Sequence, residues 1–285
     1  MLVLLSCACC RKEHPTPGAE SGSVPAWSPP AISAAGVAPQ RAAAPSSRMP
    51  ADTAVVFLHH STGENIWNGG VAAWIDAYNE RSRMRYAVTE RAWPHDPYPW
   101  DNYPYDYWNI WVRHAGLAPF EGQETLEMIT ARYQVVVFKH CFPVSAIGPD
   151  EGPADVSSSK KTLANYKAQY AAIKPKLRSF ASTRFLVWTG AALTRTAMRS
   201  DHGGDDDTAR RSRAFASWVK STWDEPGDNV FVFDFYELET EGGIYMQDKH
   251  AVSPRDPHPN ERFARTVAPQ LAQRIVDVIE GRGDS

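Results

Sequence analysis

The chain has 285 residues and a formal net charge of −3. That fits one globular domain with tails, or two small domains, and so near-neutral a charge argues against a nucleic-acid binder, which would need a basic face. Apolar residues make up 43%, enough for a sizeable core, yet no apolar run approaches the ~20 residues of a membrane-spanning helix.

Three of the cysteines, Cys7, Cys9 and Cys10, crowd together, and Cys141 stands alone. This is neither a disulfide framework nor a metal-ligand spacing. Leu4-Leu5-Ser6-Cys7 resembles the end of a bacterial lipoprotein signal, which implies lipidation of Cys7. The apolar part is shorter than an export signal requires and has no basic start, so an unanchored tail with idle cysteines stays open. Residues 1–12 are read as a truncated signal. Residues 13–50, rich in Pro, Ala and Ser, are read as a disordered linker, because they cannot bury enough apolar surface to offset ordering. Residues 51–285 are the folded domain. With the anchor the protein is exported to the cell envelope or periplasm; without it, it is cytoplasmic. Any membrane contact is through that anchor alone.

The domain opens on Val55-Val56-Phe57-Leu58-His59-His60-Ser61-Thr62-Gly63. Four consecutive apolar residues read as a buried strand. The polar stop then places Ser61 at the strand's carboxyl end, where open α/β sheets keep their sites. Ser61 is a candidate nucleophile, and equally a candidate cap of the next helix. Val71, Trp74, Ile75 and Tyr78 share one face of a helix over 71–79. A second strand follows over 85–93. Residues 93–122 are an aromatic-rich insertion whose prolines argue against regular structure through most of it. It has two readings. One is an aromatic loop folded onto its own core. The other is a substrate wall, in which Trp100, Tyr105, Tyr107 and Trp108, with His60, hold a sugar by stacking and hydrogen bonds.

A short helix over 125–131 precedes the clearest strand, 133–138, which runs into Lys139-His140-Cys141-Phe142. A helix over 161–179 buries Leu163, Tyr166, Tyr170, Ile173 and Leu177, with Pro175 placed to kink it. A fourth strand over 184–188 leads into Thr189-Gly190-Ala191-Ala192-Leu193. The acidic loop 201–207, with His202, has the residue types of a metal site but reads rather as a solvated loop. A helix over 208–223 and a fifth strand over 230–234 follow. Last comes Asp256-Pro257-His258-Pro259-Asn260, with Asn260 capping a terminal helix over 261–280. Alternating strands and helices imply a parallel sheet covered on both faces.

A serine at neutral pH needs a base within reach, histidine has the right proton affinity, and the base needs an orienting acid. Ser61 after the first strand, His258 before the last helix and Asp256 beside it form that set. These features, with the small-residue turn at 189–193, are similar to those of the SGNH/GDSL-type hydrolases, over roughly 53–279. The Asp-Pro-His-Pro-Asn block carries most of the resemblance. It implies a three-layer α/β/α, flavodoxin-like sandwich of about five parallel strands in the order 2-1-3-4-5. It also implies ester hydrolysis through an acyl-enzyme, with no metal and no cofactor. Ser61 would be the nucleophile, His258 the base and Asp256 the orienter.

The chain departs from the family pattern. One residue separates Asp256 from His258 instead of two, which leaves Asp248 as a fallback acid. The turn after the third strand has no asparagine for the oxyanion hole. The donors left are the Ser61 amide, an amide of Gly69 or Gly70, the Cys141 amide and the His140 ring. The leading expectation is a serine esterase acting on an O-acyl, for example acetyl, group of a carbohydrate or cell-surface glycan. The alternatives are a non-catalytic carbohydrate-binding protein, or a metallohydrolase using His59, His60, Asp256 and His258.

Overall fold

The computed structural model describes residues 47–282; Cys7, the expected signal and most of the expected linker lie outside them. Five strands form a parallel sheet in the order β2-β1-β3-β4-β5: β1 (Ala54–His59), β2 (Ala87–Ala92), β3 (Val135–Phe138), β4 (Arg184–Trp188) and β5 (Val230–Phe233). This is the expected fold class and strand order. The three inner strands carry continuous apolar runs because both faces of the sheet are covered. Alternation along each strand sorts them. Val55, Phe57, Val135, Val137, Leu186 and Trp188 enter one core, and Val56, Leu58, Val136, Phe138, Phe185 and Val187 enter the other.

The helices, in chain order, are α1 (Ser61–Asn68), α2 (Val71–Ser82), α3 (Pro104–Trp108), α4 (Leu126–Thr130), α5 (Leu163–Arg178), α6 (Arg195–Ser200), α7 (Asp206–Trp218), α8 (Phe235–Thr240) and α9 (Glu261–Ile279). The first core is closed chiefly by α1, α2, α8 and α9, and the second by α3, α4 and α5 with Phe215 of α7. Ser47 to Pro50 also belong to this body: the Met49 amide donates to the Ile279 carbonyl at 2.8 Å. No helix among the described residues is long and apolar enough to cross a membrane.

Two local structures differ from expectation. The proline-rich insertion is partly helical: α3 is followed by a π-helical turn over Asn109–Arg113. Pro104 is the first residue of α3, where a missing N–H costs nothing and a fixed φ helps. Before α9, β6 (Ala251–Ser253) and β7 (Asp256–Pro259) form an antiparallel hairpin. Segments this short carry too little alternation to be read from sequence.

Gly63 joins β1 to α1 at close quarters. A Cβ there would lie 2.4 Å from His59 Cβ, so the first turn of α1 rests directly on the strand end. Gly63→Ala is expected to lower the stability of the domain by roughly 1–3 kcal/mol, read as a drop in the urea midpoint. An unchanged midpoint would show that α1 has room to move.

Candidate active site

The β6–β7 hairpin brings the expected acid, Asp256, and the expected base, His258, together. Side chains two apart on an extended strand point to the same side, and Asp256 and His258 are so placed on β7. The Nδ1–H of His258 donates to Asp256 Oδ1 at 2.5 Å, and the same oxygen accepts from the His258 amide at 3.2 Å. The shortened spacing is therefore suited to a strand. Asp248 takes part here through its carbonyl, which accepts from the Ala251 amide at 3.3 Å. With Nδ1 protonated, Nε2 of His258 carries the lone pair, the form a general base needs. The His258 ring also meets the edge of Phe142, with centroids 4.8 Å apart and planes at 86°.

Ser61 is the first residue of α1, partly exposed at the carboxyl end of β1. His60 occupies the cap position and makes no side-chain cap bond, so Ser61 is not the helix cap. α1 packs against both α9 and β7, which brings the serine-bearing helix against the histidine-bearing strand. The first amides of a helix have no intrahelical acceptor, and its N-terminus favours negative charge. The Ser61 amide is thus suited to meet an oxyanion.

The other expected oxyanion donors are not available. Gly69 and Gly70 end α1, about 12 Å along the helix from Ser61 at 1.5 Å per residue, and their amides donate to Asn65, Ile66 and Trp67 carbonyls. The Cys141 amide donates to the Asn102 carbonyl at 3.2 Å. The His140 ring alternates with Lys139 onto the opposite face of the sheet, where Nε2 meets Tyr170 Oη at 2.5 Å.

The aromatic insertion is mostly core. Tyr107 has no exposed surface, and its hydroxyl donates to the Lys139 carbonyl at 2.7 Å, so it does not reach a substrate. Trp108 is 8% exposed and packs beside Tyr105 on α3, against α5. Burial of the large rings is the stronger physical demand here. Trp100 is partly exposed and stacks on the His60 ring at 3.7 Å between centroids. His60 is itself buried, and its Nε2–H donates to the Pro94 carbonyl at 2.6 Å.

Two structural organisers were not singled out by the sequence. Asn102, fully buried, donates from Nδ2 to the Trp93 carbonyl and Tyr107 Oη, and its own carbonyl holds the Cys141 amide. Its φ is +57°, a conformation asparagine tolerates better than most residues, but that preference gives no sign of position in three dimensions. Phe142, against His258, had only its place after a strand as a signal.

Burial, aided by the charge of Lys139, holds three histidines neutral: His59 and His140 are pushed down to about 3 and His60 to about 4. His59 Nε2 lies 2.9 Å from Glu90 Oε2, but at an angle that makes no hydrogen bond. Two buried carboxyls move the other way, Asp106 to about 7 and Glu239 to about 8, again through desolvation. As pH falls below about 6.5, the unfolded chain binds protons that the native histidines refuse, and stability is lost. Above about pH 4.5 the unfolded carboxyls ionise while the native ones stay protonated, so these two cost stability as pH rises towards 8. The urea midpoint is therefore expected to peak near about pH 6 to 6.5 and to fall fastest below about pH 4.5, where the carboxyls no longer oppose the histidines. A midpoint rising between pH 6 and pH 4 would contradict it.

Among the described residues no group of three or more His, Cys, Asp or Glu side chains is placed to hold a metal ion. The set weighed for that purpose is dispersed: His59 faces Glu90, His60 bonds Pro94, and Asp256 and His258 bond each other.

No family model matches the chain, and no curated protein matches it. Solved structures with a similar fold include an acetyl xylan esterase, at 15% identity over 77% of this chain and 98% of that one, with a TM-score of 0.46. A catalytic mutant of an acetylxylan esterase from Geobacillus stearothermophilus is similar at 12% identity over 81% of this chain and 96% of that one, with a TM-score of 0.43. A gut microbial diltiazem-metabolizing enzyme is similar at 13% identity over 79% of this chain and 47% of that one, with a TM-score of 0.40. At these identities the likeness is one of fold.

Proposed function

We propose that the protein is a serine ester hydrolase of SGNH type that removes a small acyl group, such as acetyl, from a carbohydrate hydroxyl. The observation that carries this reading is the Asp256–His258 pair, 2.5 Å apart on a hairpin packed against the helix that begins at Ser61. Ser61 Oγ attacks the ester carbonyl while His258 Nε2 takes its proton, and Asp256 holds the resulting imidazolium. The tetrahedral oxyanion meets the Ser61 amide at the N-terminus of α1. His258 returns the proton to the departing sugar oxygen, and a water activated by the same imidazole releases the acid from Ser61. The expected substrate is a glycan ester met at the cell envelope, if the Cys7 block and its linker serve to anchor and extend the domain.

A fluorophosphonate probe tests the chemistry. Expected is a single covalent adduct on the Ser61 peptide, lost in Ser61→Ala. No adduct, together with measurable glycan binding, would favour a non-catalytic carbohydrate-binding protein.

The sugar assignment rests on the Trp100–His60 stack, which presents a partly exposed indole. Ring stacking contributes about 0.5–1.5 kcal/mol. Trp100→Ala is therefore expected to raise KM for an acetylated oligosaccharide by roughly 2–10-fold while leaving p-nitrophenyl acetate turnover nearly unchanged. Equal losses on both substrates would remove the sugar from the reading.

A further inference from the structure

Lys139 is fully buried at the carboxyl end of the central strand β3, a costly place for an ammonium group. The reaction described above has no use for it. Alternation along the strand puts it on the face of Val137, the face covered by α1 and α9. Its Nζ donates to Cys141 Sγ at 3.8 Å, and its carbonyl accepts from Tyr107 Oη at 2.7 Å. Cys141 is held a second time, through its amide on the Asn102 carbonyl. The next residue, Phe142, presents its ring to His258 at 4.8 Å. Nearby lies Glu239, a buried carboxyl whose oxygen accepts from the Ala192 amide at 2.6 Å in the turn after β4.

We propose that Lys139 is a positioning residue for the base: by fixing the Cys141–Phe142 turn it sets the wall against which the His258 imidazole is oriented. This rests on the esterase reading of Ser61, Asp256 and His258. A Lys139 that served only the packing of the sheet end would stabilise the fold and leave the imidazole alone. A misplacement of the base by about 1 Å can slow the reaction by roughly 10²-fold, since the reacting groups must be aligned.

The test is Lys139→Met in the full chain, with two readouts. The first is kcat and KM on p-nitrophenyl acetate. The second is the downfield proton of the His258–Asp256 hydrogen bond in the ¹H NMR spectrum, assigned with His258→Gln. Expected is a kcat lower by roughly 10–100-fold with KM within about twofold, and a shifted or broadened imidazole proton. A variant with a lower melting temperature but unchanged kcat and unchanged imidazole proton overturns the proposal. The proton is read without substrate, so a wild-type chain that hydrolyses nothing would sink the esterase reading while leaving this contact testable. If Lys139→Met does not fold, Cys141→Ala against Cys141→Ser decides. Serine keeps an acceptor for the ammonium and alanine does not, so a larger perturbation of the imidazole proton and of kcat in Cys141→Ala supports the role. Equal behaviour of the two overturns it.

Discussion

Ser61→Ala is expected to bring p-nitrophenyl acetate hydrolysis down to background, a loss of at least roughly 10³-fold in kcat, with the protein still folded. The two halves of that expectation have separate grounds. The chemical half follows from Ser61 being the partly exposed hydroxyl on the helix that packs against the His258 strand, its neighbour Thr62 being buried. Removing a nucleophile removes the acyl-enzyme altogether, and what remains is whatever the helix N-terminus and His258 do to water. The structural half follows from the cap. Losing a serine cap commonly costs 0.5–2 kcal/mol, but His60 and not Ser61 stands at that position. The melting temperature should therefore move by no more than about 2 °C. Retained turnover in a folded Ser61→Ala variant would remove Ser61 from the reaction. An unfolded variant would mean that the serine supports α1 after all.

The sheet was legible because its inner strands are buried on both faces. That condition forces the runs Val55 to Leu58, Val135 to Phe138 and Arg184 to Trp188 to be nearly continuous in apolar residues. The long helices were legible through their 3.6-residue stripe, as in Phe263, Val267, Leu271 and Ile275 of α9. What did not show is structure whose segments are too short for a pattern, or whose outcome is decided only by how the folded elements pack. The β6–β7 hairpin is too short to carry a pattern, yet it makes the Asp-Pro-His spacing workable. Gly69 and Gly70 looked suitable as oxyanion donors because glycine amides are accessible in general. Only the completed helix shows that theirs are spent on its last carbonyls. Tyr107 and Trp100 are the same kind of residue in the same stretch. One is core and the other partly exposed, and composition contains nothing to separate them.

Asp256→Asn is the second large effect expected, a fall in kcat of roughly 10²–10³-fold with KM little changed. A buried triad aspartate replaced by asparagine costs about 10⁴. The Asp256 side chain is 47% exposed, so water already screens part of its charge and the loss should be smaller. Two contributions disappear. The carboxylate no longer offsets the charge of the imidazolium formed when Ser61 gives up its proton. Its replacement can also turn an N–H towards Nδ1, which stabilises the tautomer with the proton on Nε2 and leaves no lone pair for the serine. The second contribution depends on the proton inventory alone, so the variant should recover little when salt is changed. Asp248→Asn serves as the control: its carbonyl, not its carboxylate, supports the hairpin, and its kcat should stay within about twofold of the wild type. A large loss in Asp248→Asn with little in Asp256→Asn would transfer the orienting role to Asp248, and the 2.5 Å contact on β7 would then be a structural brace of the hairpin.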